Sequence, residues 1–212
     1  MEQLNLNTIL DRKNIEDKII QILQHFNNNK HDLSLKRGIY IYGAPGSGKT
    51  EFVQQILKKM NYDIVQYDAG DIRNKSIIDT ITKHNMSDKN IISLFNKKSR
   101  YIAIVMDEID GMNNGDKGGI NSLIKIIRPK KTKKQKLEEL SLNPIICISN
   151  NHIDKKIKEL IKVCHSFELK IPTQAQLNKI INITMPKLIT DKTFLNNIYN
   201  FIQGDLRKFF YI

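Results

Sequence analysis

The sequence predicts an α/β fold, in which a mainly parallel sheet is flanked by helices and followed by a small helical lid. Three observations support this class. Short apolar runs typical of buried strands alternate with helical patterns as far as residue 171. A glycine-rich loop joins one of these strands directly to a helix. After Pro172 only helical patterns remain, so we expect one domain over residues 1–171, with an N-terminal helix, and a partial lid over 172–212.

The individual elements are predicted from the spacing of apolar residues. Apolar side chains recur at helical spacing in residues 15–26, 51–58, 77–81, 90–95, 120–127, 174–183 and 194–202, with a further helix starting at Asp205. Short apolar runs indicate strands at residues 38–42, 64–67, 101–106, 144–149 and 167–171. The strands therefore precede the lid and alternate with helices, as a parallel sheet requires.

Composition places the chain among ordinary globular proteins. Hydrophobic residues make up 40% and charged residues 26% of its 212 residues. No apolar stretch is long enough to span a bilayer, and residues 1–10 lack the regions of a signal peptide. Cys147 and Cys164 show no metal-site or disulfide spacing. We expect a soluble intracellular protein in a reducing compartment, with no membrane partner.

The net charge of +12 favours a polyanionic partner such as nucleic acid. The excess is carried mainly by lysine, and a genome of biased composition would produce it as well. A solvated basic surface is therefore the alternative interpretation.

The glycine-rich loop fits the pattern G-x-x-x-x-G-K-[ST] at every fixed position. Its glycines let successive N–H groups turn toward an anion, and the N-terminus of the following helix favours negative charge. This predicts a site for ATP and Mg²⁺, in which Lys49 reaches the β- and γ-phosphates and Thr50 binds the metal. The alternative is a turn that matches by chance. The predicted nucleotide-binding residues are Gly43, Ala44, Pro45, Gly46, Ser47, Gly48, Lys49 and Thr50.

Two acids follow the apolar strand at residues 101–106, about 60 residues after Lys49. Ligands bind at the carboxyl ends of parallel strands, so Asp107 is predicted to meet the Mg²⁺ that Thr50 holds. Glu108 is then placed to act as general base toward a water that attacks the γ-phosphate. A strand that merely ends in a polar turn is the alternative.

Two further residues argue for hydrolysis in addition to binding. Asn150 follows the strand at 144–149 and is predicted to hold the attacking water or the γ-phosphate. Arg207 opens the last helix and is predicted to place a cation on the γ-phosphate from the lid. The alternatives are a turn asparagine and a surface arginine that follows the helix cap Asp205.

On these motifs the chain resembles AAA+ P-loop ATPases of the clamp-loader group, and most of all the large subunits of replication factor C. The similarity covers roughly residues 35–210 and includes departures at Asp68 and Gly70. The matching segments are residues 68–75, 106–112, 116–120, 144–150 and 204–207.

The resemblance implies an ATPase subunit, weak in isolation, that opens a sliding clamp and closes it on primer-template DNA. Such subunits act in a hetero-oligomeric ring, in the nucleus or another site of DNA replication, and a neighbour's arginine finger completes each ATP site. No arginine occurs in residues 163–166, where the finger is expected, so the chain should receive a finger and donate none. The chain stops soon after Arg207, so we expect the family's helical collar to be missing, in a fragment or a minimal version.

Candidate DNA contacts come from two segments. The basic stretch 128–136 and the glycines before the helix at 120–127 are predicted to meet DNA phosphates. Solvated lysines and a loop with unusual backbone angles are the respective alternatives. Two other functions stay open, namely a nucleotide-gated structural or regulatory module without turnover and an initiator or helicase-loader ATPase. The candidate DNA-binding residues are Lys117, Gly118, Gly119, Lys130, Lys131, Lys133 and Lys134.

Overall fold

The structure is a computed structural model, and it describes residues 6–68, 101–114, 119–138, 140–150, 155–184 and 192–209. The predicted helices at 77–81 and 90–95 lie outside these residues, as do Lys117 and Gly118.

The described strands form one parallel sheet in the order β2-β3-β4-β1-β5. Gly38 at the start of β1 lies opposite Ile145 on one side and Cys164 on the other. The carboxyl ends of the strands therefore meet at one edge of the sheet, and the predicted α/β class is confirmed. The strands are β1 (Gly38–Tyr42), β2 (Tyr62–Tyr67), β3 (Tyr101–Met106), β4 (Ile145–Ser149) and β5 (Cys164–Glu168).

Helices cover both faces of the sheet. Side chains alternate along a strand, so in β1 Ile39 and Ile41 pack with the helices of one face and Tyr40 with those of the other. Burial on both faces explains why β1, β3 and β4 are nearly continuous apolar runs. One face carries α2 (Lys13–Asn28) and α3 (Lys49–Lys59), and the other carries α4 (Gly119–Ile127) and α6 (Lys155–Val163).

The helices after Pro172 form a separate hydrophobic cluster with the start of the chain. Leu10 and the helix α1 (Leu6–Ile9) pack against Ile181 and Leu206 in this cluster. The N-terminal residues thus contact the lid, while the boundary at residue 171 stays a prediction. The lid helices are α7 (Gln174–Thr184), α8 (Lys192–Ile202) and α9 (Leu206–Phe209), and a short α5 (Lys133–Lys136) precedes β4.

Several elements differ from the sequence expectations. The last strand begins at Cys164, three residues before the predicted start at 167, because its backbone pairs with the full length of β1. Only alternate residues of this edge strand face the core, so no apolar run marks it. The helices α1, α5 and α6 are not among the predicted elements, although Ile157, Leu160 and Ile161 of α6 have helical spacing. Over the described part of the chain, no helix is long and apolar enough to cross a bilayer.

Candidate nucleotide site

The glycine-rich loop leaves the carboxyl end of β1 and continues directly into α3. Gly46 and Gly48 have φ angles of 72° and 78°, a left-handed conformation that residues with a side chain rarely adopt. Glycine at these positions therefore lets the loop curl without backbone strain at the N-terminus of α3, where backbone N–H groups favour an anion.

Lys49 lies almost buried in this loop, with 7% of its surface exposed. Its Nζ donates hydrogen bonds to the carbonyl oxygens of Gly43 at 3.0 Å and Ala44 at 2.9 Å, and to Oδ1 of Asn150 at 2.7 Å. Burial lowers the pKa of Lys49, while the negative charges of Asp107 and Asp110 act in the opposite direction. The predicted lysine and the predicted asparagine are thus in direct contact.

The two predicted metal ligands also meet. The Thr50 hydroxyl donates a hydrogen bond of 2.7 Å to Oδ2 of Asp107, which follows β3. Hydroxyl and carboxylate oxygens are the ligand types that Mg²⁺ takes, usually with phosphate oxygens and waters completing its shell. The residues present therefore fit a magnesium ion. Gln66 at the end of β2 reaches the same carboxylate oxygen at 3.5 Å.

Glu108 occupies an unusual backbone position next to this pair. Its φ is 51°, which is uncommon for a residue with a side chain and is often found at functional sites. Its N–H donates to Oδ1 of Asp107 at 3.0 Å, and its side chain is exposed to the cleft. The turn after β3 thus gives the two acids different surroundings, one hydrogen-bonded and one open to solvent.

The lid reaches the loop through the segment that contains Arg207. The guanidinium of Arg207 makes two hydrogen bonds to the carboxylate of Asp205, of 3.0 and 2.8 Å, and remains 68% exposed. These bonds lower the pKa of Asp205. The N–H of Leu206 donates to the carbonyl oxygen of Gly46 at 2.9 Å, so the start of α9 is tied to the phosphate loop.

All of the predicted catalytic and metal-binding residues line one cleft of about 400 Å³, a volume typical of small-molecule sites. The structure brings together Lys49, Thr50, Asp107, Glu108, Asn150 and Arg207. Their roles stay predictions, but their shared location is what a nucleotide site requires.

Arg12 also contributes to the site, and the sequence does not predict it. It is 5% exposed, its Nη2 donates to the carbonyl oxygen of Ser47 at 2.7 Å, and its guanidinium lies 5.9 Å from the ring centre of Phe52. Burial lowers the pKa of Arg12 to about 10. Nothing in its local sequence signals this contact, because the two partners lie 35 and 40 residues away along the chain. From the sequence, Asp205 is predicted only to cap a helix, although it lies in the matching segment 204–207.

The predicted DNA contacts divide into two groups. The prediction that Lys130 contacts DNA is wrong. Its side chain is 1% exposed, and its Nζ donates to the Glu138 carboxylate at 3.2 Å and to the Lys125 carbonyl oxygen. Its ammonium is used inside the protein and is not presented to a phosphate. Lys131, Lys133 and Lys134 are exposed.

The lysine segment, residues 130–136, lies at the end of the sheet opposite the nucleotide cleft. The N–H of Lys130 donates to Leu33, and the guanidinium of Arg37 donates to Ser141, so the segment is held beside the residues that precede β1 and β4. The lysines thus lie at the amino ends of the strands, opposite the cleft. Gly119 is the buried first residue of α4.

A parallel sheet with a glycine loop and an acid pair at its carboxyl edge defines a P-loop nucleotide-binding domain. A family model described as "ATPase family associated with various cellular activities (AAA)" matches residues 39–174. The chain belongs to this family, as the sequence predicted.

The chain is similar to replication factor C subunit 1 of Saccharomyces cerevisiae. The two are 25% identical over 181 residues, which are 81% of this chain and 20% of the yeast protein. The replication factor C large subunit of Nanoarchaeum equitans is 28% identical over 93% of this chain and 43% of its own length. The chain thus spans about a fifth of the yeast relative.

A solved structure supports the fold. The Aeropyrum pernix ORC2 protein, described in ADPNP and ADP complexes, superposes with a TM-score of 0.54 at 14% identity, over 81% of this chain and 50% of that one.

Proposed function

We propose that the chain binds MgATP in the described cleft and hydrolyses it as a subunit of a DNA sliding-clamp loader. The observation that carries this proposal is that Thr50 meets Asp107, Lys49 meets Asn150, and the lid arginine lines the same cleft. The relatives named as replication factor C large subunits support the assembly in which this ATPase acts.

In this proposal the glycine loop and Lys49 hold the phosphates, and Thr50 and Asp107 hold Mg²⁺. The metal would supply positive charge against the phosphate oxygens. Lys49 is already anchored by two loop carbonyl oxygens, which restricts its ammonium to the loop. The burial of this ammonium strengthens its interaction with an anion.

The remaining side chains have separate tasks in hydrolysis. Glu108 accepts the proton of the attacking water, a contribution worth about two to four powers of ten in rate. Asn150 has its amide oxygen engaged by Lys49, which leaves its amide N–H donors for the water or the terminal phosphate. Arg207 stabilises charge that develops on that phosphate, provided that it exchanges its bonds to Asp205.

The proposed partners are the smaller clamp-loader subunits, the clamp and primer-template DNA, at the site of DNA replication. The chain receives an arginine finger from a neighbour, and it donates none because residues 163–166 contain no arginine. Turnover by the isolated chain is then low. In the DNA-bound assembly, the exposed lysines of residues 131–136 are candidate phosphate contacts.

The catalytic proposal is tested with Glu108→Gln, in an assembly whose other subunits carry inactivated sites so that only this chain turns over. The variant should bind fluorescent ATP as the unmodified chain does, while hydrolysis falls at least about a hundredfold. Glu159→Gln is the control, because Glu159 is exposed on α6 and distant from the cleft. Unchanged turnover by Glu108→Gln would refute the catalytic proposal and favour a nucleotide-gated structural or regulatory module.

The assembly is tested by co-purification from the source cell. We expect the chain to come with a sliding clamp and with smaller subunits that carry arginine fingers. Recovery with a replicative helicase and no clamp would instead support the helicase-loader alternative.

A further inference from the structure

A second groove lies between α2 and the outer strand β5, and its described lining residues are all different from those of the nucleotide cleft. Its volume is about 330 Å³. The floor consists of the apolar side chains of Ile22, Phe26, Leu35 and Phe167. Such an apolar floor with an open side suits a partner that supplies apolar side chains of its own.

The ionisable side chains that line this groove are all basic. They are Lys18, His25, Lys36 and His165, and among the described residues no carboxylate lines the groove. The two lysines therefore complement negative charge, and the floor complements apolar surface.

One side of the groove is a sheet edge, since β5 is the last strand in the described order. In a parallel strand, alternate residues direct their backbone groups to alternate sides. The Leu169 N–H donates to Tyr42 of β1, so the backbone groups of Ser166 and Glu168 point away from β1. Within the described residues no hydrogen bond reaches these groups. The same edge at Cys164 is capped by the Lys36 ammonium, 3.2 Å from its carbonyl oxygen.

We propose that this groove binds an extended acidic segment of a partner protein, which pairs with the edge of β5. The segment places alternate apolar side chains on the floor beside Phe167 and its carboxylates against Lys18 and Lys36. Hydrogen bonds between the two backbones give affinity for the segment, and the side chains of the groove give selectivity, as in other cases of strand addition. A second copy of this chain is disfavoured by its net charge of +12. A nucleic acid would use the cations and leave the strand edge unpaired.

The probe is a fluorescein-labelled decapeptide of alternating glutamate and leucine, with anisotropy measured on the full chain. It should bind at least about tenfold more tightly than the lysine–leucine and glutamate–serine peptides of equal length. Equal binding of all three peptides would overturn the proposal.

The location is tested with the double variant Lys18→Glu, Lys36→Glu, which should weaken peptide binding about tenfold or more. The control variant reverses the charges of Lys155 and Lys158, which are exposed on the opposite face of the sheet. It should change peptide binding by less than about twofold. Oligothymidylate serves as the nucleic-acid probe. If the groove variant weakens binding of oligothymidylate and leaves the peptide unaffected, the groove is a nucleic-acid site and the proposal is wrong.

The strand pairing is tested with Ser166→Pro, which removes an N–H that points away from β1 and leaves the ladder to β1 intact. Peptide affinity should fall about tenfold while the thermal midpoint stays near that of the unmodified chain. Retained affinity in a folded Ser166→Pro chain would exclude strand addition.

Discussion

The contact between the lid and the phosphate loop can be tested with two glycines of matched conformation. Gly46 and Gly48 have φ angles of 72° and 78°, so alanine suffers similar backbone strain at either position. The space around them differs. A Cβ at Gly46 would overlap the Asp205 carboxylate, whereas the nearest atom to a Cβ at Gly48 is 3.5 Å away, an ordinary contact.

The two substitutions should therefore differ by the free energy of the lid contact. Left-handed strain costs about 1–2 kcal/mol in both Gly46→Ala and Gly48→Ala. In Gly46→Ala the carboxylate of Asp205 must also move, which removes its bond to the N–H of Arg207 and disturbs the bond from Leu206 to the loop. Each of these is worth about 1 kcal/mol. We expect a loss of about 3–4 kcal/mol for Gly46→Ala.

The measurement is urea unfolding of the nucleotide-free chain, followed by circular dichroism. Asp205→Ala is made alone and together with each glycine variant. With Gly46→Ala it should show a coupling free energy of about 1–2 kcal/mol, because the overlap disappears. With Gly48→Ala the effects should add. Equal losses for the two glycine variants and no coupling to Asp205 would refute the lid contact.

Three further predictions concern single side chains. Lys130→Ala should destabilise the fold by about 1–3 kcal/mol, because it removes the buried partner of Glu138, whereas Lys131→Ala should change stability by less than about 0.5 kcal/mol in the same urea titration. Arg12→Ala should cost about 1.5–3 kcal/mol through its lost bond to the Ser47 carbonyl oxygen, and a loss no larger than that of the exposed Lys13→Ala would contradict this. Burial lowers the pKa of His165 below its ordinary value. The free energy of unfolding should therefore fall as the pH drops below about 6.5, while above that pH His165 should have little effect on it. His165→Asn should remove part of this acid-dependent fall in the thermal midpoint, and identical pH profiles would exclude the effect.

The strands that are buried on both faces could be predicted closely from the sequence. β1 and β3 have the predicted bounds, because parallel strands covered by helices read as continuous apolar runs. The edge strand β5 has one buried face and begins with Cys164, His165 and Ser166, which carry no strand pattern. Its position depends on pairing with β1, and local sequence does not encode that partner.

The candidate site shows the same division. The loop, the acid pair and Asn150 each follow a strand, so parallel topology alone brings them to one edge. Arg12 could not be predicted, because its contact depends on how the first helices pack against the loop. Lys130 is indistinguishable in sequence from the exposed lysines beside it, and only the folded loop reveals its carboxylate partner.

The length of the strands also sets the distance between a nucleotide at the phosphate loop and DNA on the lysine segment. Five residues of β1 at about 3.3 Å each separate the lysine segment from the phosphate loop by about 17 Å. A strand of DNA lying on Lys131, Lys133 and Lys134 would therefore be out of reach of a nucleotide phosphate. If DNA and the nucleotide affect each other's binding, whole packed elements must move between them, because no single side chain can contact both.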